Sequence, residues 1–196
     1  MIPEIIQITL FDDINEDDIR KTKWLLGKHT DMIDLIGNYE YSLKQMKSGF
    51  SEYDYVAAEG SVAKRETGHE LTADVTANSV ILKDKRYKIY QFYLFITNNI
   101  KYAINNMRDP HENKIAELLF INGTKYLKAQ EYMKKGYKKE LYGISDNTFA
   151  DKRRKAIANI ATSLKYNRTL DFVTIDYGLG RGENGEIKLL LPFNEE

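Results

Sequence analysis

KKELYGISDNTFADKRRKAIANIATSLKY, residues 138–166, is the stretch on which the fold of this chain turns. Gly143, Ile144 and Ser145 stand between two amphipathic helical patterns. Glycine is free to take the positive φ of a tight turn, and Ile144 is available to plug the space between the helices. Ser145 or Asp146 is placed to cap the second helix, because a short side-chain oxygen there accepts from a first-turn backbone N–H. Along that helix Phe149, Ala156, Ile157, Ile160, Ala161 and Leu164 fall on one face, while Asn147, Thr148, Asp151, Lys152, Arg154 and Lys155 lie wholly or largely outside it. A helix entering the major groove of DNA needs this division: an apolar side to dock on its partner helix, and short polar groups and long cations on the other.

The run Lys152, Arg153, Arg154 and Lys155 supplies phosphate neutralisation. The upstream helix, predicted over about Lys125 to Leu141, is basic as well, through Lys125, Lys128, Lys134, Lys135, Lys138 and Lys139. Two consecutive basic helices make a patch. The predicted DNA-binding set is Ser145, Asn147, Thr148, Asp151, Lys152, Arg153, Arg154 and Lys155, with Lys138 and Lys139 from the preceding helix.

Zero net charge over 196 residues excludes a general polycation but hides a segregation of sign. Residues 125–168 carry 12 basic and 4 acidic side chains, a net +8, against −6 for 1–60, +2 for 61–124 and −4 for 169–196. A hydrophobic content of 42%, with 12% aromatic residues, is enough for a packed core. The absence of cysteine excludes disulfides, thiolate zinc sites and a cysteine nucleophile, and suits a reducing compartment. The start, MIPEIIQITLFDDINEDD, lacks the basic opening of a signal peptide, and no apolar run reaches the roughly 18 residues of a membrane span. A cytoplasmic chain without membrane contact is expected.

The organisation reads as a mainly α protein, a helical bundle with a C-terminal helix-turn-helix and a short β-hairpin appendix. A β-prone run, Ile5 to Phe11, precedes acids at 12–18 that favour a helix start. The N-terminal helical region is 1–47, its stripe made by Ile19, Leu25, Leu26, Met32, Ile33, Leu35, Ile36, Tyr39, Leu43 and Met46. Residues 48–76, rich in Gly, Ser, Thr and charge, read as a linker or irregular arm. A helical DNA-binding domain spans 77–167. Its first helix, about Ala77 to Met107, carries Ile81, Ile89, Phe92, Tyr93, Ile96, Ile100, Ile104 and Met107 on one stripe and breaks at Asp109 and Pro110. A further helix runs from His111 to about Ile121, closed by Asn122 and Gly123. Residues 168–196 form the hairpin appendix, with a glycine-rich turn from Gly178 to Gly185.

No catalytic, metal or cofactor set emerges. Gly180, Gly182 and Gly185 match the spacing of a dinucleotide-binding loop, but the βαβ context that spacing requires is missing, because only eleven strand-like residues follow. His29, His69 and His111 lie some forty residues apart with no carboxylate at ligand spacing. A non-enzymatic protein is predicted.

Residues 70–165 also resemble the ArpU/RinA-type phage late-gene transcriptional regulators. The likeness runs through DVTANSVILK (Asp74 to Lys83), a long helix, and then GISDNTFADKRRKAIANIATSL, and is closest over Gly143 to Leu164. That family's helix-turn-helix is similar to region four of bacterial sigma factors. The resemblance implies double-stranded DNA as partner, activation of phage or prophage late genes, and recruitment of the host RNA polymerase. Lys152 stands where that family's pattern has an apolar packing residue, and the interval from Gly123 to Gly143 is longer than its first helix and contains Gly136. The hairpin after Thr169 lies outside the pattern and is assigned to pairing with a second copy, a homo-oligomer. The competing expectation is an interaction module whose basic helices bind an acidic protein, such as the chain's own N-terminal segment, in place of DNA.

Overall fold

Acids at a helix start and a seam of alternating three- and four-residue intervals build the first helix. In the computed structural model, which describes residues 14–47, 72–136, 143–177 and 185–191, α1 is Glu16–Lys47 with Glu16, Asp17 and Asp18 in its first turn. Asn15 and Asp18 cap it reciprocally: the Asp18 N–H donates to Asn15 Oδ1 at 2.8 Å and the Asn15 N–H to Asp18 Oδ2 at 3.1 Å. The seam holds Thr22, Leu25, His29, Met32 and Ile36, all buried, followed by half-buried Tyr39 and Leu43. Leu35, expected in that stripe, is 51% exposed, because it stands about 100° round the helix from Ile36. His29 joins the seam unannounced by the sequence. Burial first, and the Lys101 ammonium second, hold its pKa below the usual histidine value.

The second helix, α2, is Thr72–Asn105. It begins before the predicted Ala77, so the expected linker is helical over 72–76. That stretch, TADVT, contains neither glycine nor proline to stop the helix propagating back. Asp109 and Pro110 end this region as predicted. Asp109 caps α3 (Pro110–Ala116), its carboxylate accepting from the N–H groups of His111 and Glu112. A π-type turn, Glu117–Ile121, continues α3. Gly123 at φ 60° closes it, with the Thr124 N–H reaching back to Leu118 O at 2.9 Å.

After α4 (Tyr126–Lys135) and α5 (Asp146–Tyr166), Arg168 turns the chain out of the helix at φ 57° into a 3-10 turn, Thr169–Phe172. Strands β1 (Val173–Asp176) and β2 (Glu186–Leu189) pair antiparallel, Val173 opposite Leu189 and Asp176 opposite Glu186. The predicted mainly helical architecture with a short hairpin is the observed one. The β-prone run 5–11, residues 48–71 of the linker, Lys138 and Lys139, Gly178–Asn184, residues 192–196, and the side chains of Met46 and Ile81 lie outside what is described.

The described residues divide into two units. One comprises the described residues within 14–29 and 98–190, the other those within 30–97 together with 191. In the second, Met32, Ile36, Phe92 and Ile96 are buried, Tyr39 stacks on Tyr90 at 4.7 Å, and the Tyr90 hydroxyl donates to Glu40 at 3.1 Å. The tyrosines therefore serve packing there. In the first unit the hairpin is tied in at several points. Val173 and Leu170 are buried, Asn99 donates to the Thr169 hydroxyl at 2.9 Å, and the Tyr177 hydroxyl bonds Asp17. No helix among the described residues is long and apolar enough to cross a membrane.

Candidate nucleic-acid interface

Three helices of the first unit, α3, α4 and α5, surround one apolar cluster. Ile115, Leu118, Ala129, Met133 and Phe149 form it, with Leu119, Tyr132 and Ile144 packed against its edge. Ile144 thus fills the interhelical space its position suggested. Tyr126 meets the Phe149 ring edge-on at 5.3 Å, a favoured aromatic geometry that fixes the start of α4 against the first turn of α5.

The connection between the two helices differs from the prediction. Helix α4 ends at Lys135 instead of running to Leu141, because Gly136 adopts φ 73°, a value helical residues do not take. The chain is back beside the same helix end at Gly143. A Cβ on Gly143 would lie 2.1 Å from the Lys134 carbonyl oxygen, so only glycine fits that approach. The Ile144 N–H then donates to the Met133 carbonyl at 3.2 Å. Lys134 and Asp146 pair at 2.7 Å across the junction. The end of α4 and the residues that open α5 are therefore in direct contact.

Ser145 caps α5, its hydroxyl accepting from the Thr148 N–H at 3.2 Å. Every predicted apolar position of the helix is buried: Phe149, Ala156, Ile157, Ile160, Ala161 and Leu164. Asn147, Thr148, Asp151, Arg154 and Lys155 are exposed, so these five predicted site residues share the solvent side of the first turns. Asp151 and Arg154 pair at 2.7 Å, with side chains 61% and 76% exposed. Lys125, just before α4, and Lys128, Lys134 and Lys135 on it are exposed.

Two predicted phosphate ligands are placed otherwise. Lys152 is drawn toward α3, where its ammonium bonds Asp109 and reaches Glu112 at 3.4 Å. Glu112 is buried and takes a second hydrogen bond from Asn159 at 2.8 Å. This clasp accounts for a lysine at a packing position: the stem lies inward and the charge is met by acids of the neighbouring helix. Burial pushes the Asp109 carboxyl up, but hydrogen bonds from Lys152 and from the Glu112 and His111 N–H groups outweigh it and hold the group below the usual carboxylate range. The bond to Asp109 likewise raises Lys152 above the usual lysine value, against the opposing effect of burial. Arg153 is half-buried, its guanidinium 5.5 Å from the Tyr126 ring centroid and its Nε without a hydrogen-bond partner among the described residues. Lys138 and Lys139 are outside the described residues.

Comparison with protein-family models, with curated proteins and with solved structures finds no match for this chain. The likeness to late-gene regulators therefore rests on the residues quoted above. The geometry adds Asp109, Glu112 and Asn159 to the residues that position α5. Asp109 was legible as a helix break, whereas its roles as cap and as partner of Lys152 were not.

The clasp has a pH signature. A carboxyl with a depressed folded-state pKa contributes stability that is present above its ordinary value of 3.8 and lost as pH falls through the lowered value. Lys152→Met is expected to destabilise the unit by about 1–3 kcal/mol at neutral pH, less than for a fully buried pair because both side chains retain some exposure. The deficit relative to wild type should shrink on acidification below pH 3.8. Thermal melts across that range check this, and a deficit independent of pH would show that the ion pair contributes nothing.

Proposed function

We propose that this chain is a sequence-specific, double-stranded-DNA-binding regulator of transcription that lays the first turns of α5 in the major groove. The observation that supports this most directly is the division of α5. Six apolar side chains dock on the unit's core, while Asn147, Thr148, Asp151, Arg154 and Lys155 face solvent together. The exposed lysines of α4 extend the cationic surface, in a segment whose net charge is +8. Short polar side chains near base edges and long cations near phosphates are what groove recognition uses. Lys152 and Arg153 support the helix from behind. The resemblance to phage late-gene activators adds recruitment of host RNA polymerase to this reading, in the cytoplasm of the bacterial host.

An acidic clamp formed by the chain itself has less to recommend it. Among the described residues, Asp18 pairs with Lys165 at 2.9 Å and Asp17 bonds Tyr177, so these acids are engaged at the far end of α5 and at the hairpin.

The deciding experiment is retention of the purified chain on duplexes covering the DNA around its own coding region, against a scrambled competitor at near-physiological salt. Selective retention is expected, with affinity falling steeply as salt rises. Equal retention on both duplexes, or none, would sink the regulator reading and favour an acidic protein partner.

A further inference from the structure

We propose that Asp151 makes the α5 surface selective for sequence, by accepting a hydrogen bond from the exocyclic amino group of a cytosine in the major groove. The inference rests on the DNA-binding reading above and names what that site would recognise.

Asp151 is an acid inside the most basic stretch of the chain, DKRRK, with a side chain 61% exposed. A surface built only to hold phosphates gains nothing from a carboxylate there, since it repels the backbone and weakens every non-specific contact. Nor is the residue needed for folding. It lies beyond the capping turn, and its partner is Arg154 at 2.7 Å, itself 76% exposed, in a surface pair that contributes little.

Of the neighbouring cations, Arg154 pairs with it at the surface and two others are turned elsewhere. Lys152 is committed to Asp109 and Glu112, and Arg153 to the Tyr126 ring. What remains beside Asp151 on the solvent side is Arg154, Lys155 and, about one helical turn earlier, Asn147 and Thr148.

The groove offers only two amino donors, cytosine N4 and adenine N6. Adenine places its N7 acceptor next to N6, which suits an amide with both a donor and an acceptor and repels a carboxylate. Asn147 therefore matches adenine and Asp151 matches cytosine. Their positions are about 6 Å apart along the helix axis, close to two base steps of about 3.4 Å. When Asp151 turns to a base, Arg154 is released toward phosphate.

The test is selection from a random-sequence duplex pool by the full-length chain and by its Asp151→Asn and Asp151→Ala variants, followed by anisotropy titration of the recovered site, its single-base variants and a scrambled duplex. Wild type is expected to recover a cytosine whose replacement weakens binding about tenfold or more. Asp151→Asn should move that preference to adenine and Asp151→Ala should abolish it, while both bind the scrambled duplex more tightly than wild type. Circular dichroism should show unchanged helicity in both variants. One motif shared by all three proteins would overturn the role of Asp151 and leave DNA binding standing. A wild-type chain that binds no duplex, or all duplexes alike, would overturn the inference together with the reading beneath it.

Discussion

Phe149→Ala is expected to destabilise the unit that carries α5 by about 3–5 kcal/mol, the range for deleting a fully buried aromatic side chain. Phe149 is 1% exposed. It closes the cluster to which α3 and α4 also contribute, and its ring forms a T-shaped pair with Tyr126. Removing it opens a cavity where three helices meet and takes away the surface that orients Tyr126, on which Arg153 lies in turn. The melting temperature should fall by roughly 10–20 °C, with Phe149→Leu losing less because more of the volume stays filled. DNA retention should fall with the folded fraction. A loss below about 1 kcal/mol would mean that α5 is held mainly by its C-terminal half.

Replacing Arg154 and Lys155 together with glutamine is expected to act on binding and not on folding. Both side chains are exposed, and Arg154 gives up only its surface pair with Asp151. If each neutralises one phosphate, the slope of log affinity against log salt becomes shallower by about 1.8, and affinity near physiological salt drops by roughly 30-fold on specific and scrambled duplexes alike. Matched melting curves with a changed salt slope place these residues on the backbone of the DNA. An unchanged slope would remove α5 from the interface. Arg153 is left out of this variant, because its contact with Tyr126 would mix a packing loss with the loss of charge.

Much of this arrangement was legible because it is local. The period of Phe149, Ala156, Ile157, Ile160, Ala161 and Leu164 marks the buried face of α5 at 3.6 residues per turn, and all six are buried. Ser145 as cap, Asp109 with Pro110 as a break and Gly123 as a stop each depend on neighbours within a few residues. The same local logic misjudged Leu35, where a hydrophobic residue beside the seam was taken for part of it, and the end of α4, where Gly136 outweighed the helical pattern around it.

The fates of Lys152 and Arg153 were not legible in this way. The helical period sets Arg154 and Lys155 outside the apolar face, but which acid or ring Lys152 and Arg153 meet depends on what lies opposite. Asp109 is 43 positions from Lys152, Asn159 is 47 from Glu112 and Asp18 is 147 from Lys165.

The sequence by itself thus determined the helices, their buried faces, most of their ends and the segregation of charge, since backbone geometry and side-chain periodicity decide these within a turn or two. Only the tertiary structure decided which cations hold α5 in place and which it leaves to face solvent. An ion pair forms where folding has already brought two distant charges together out of water, and nothing in the chain next to either charge records that meeting.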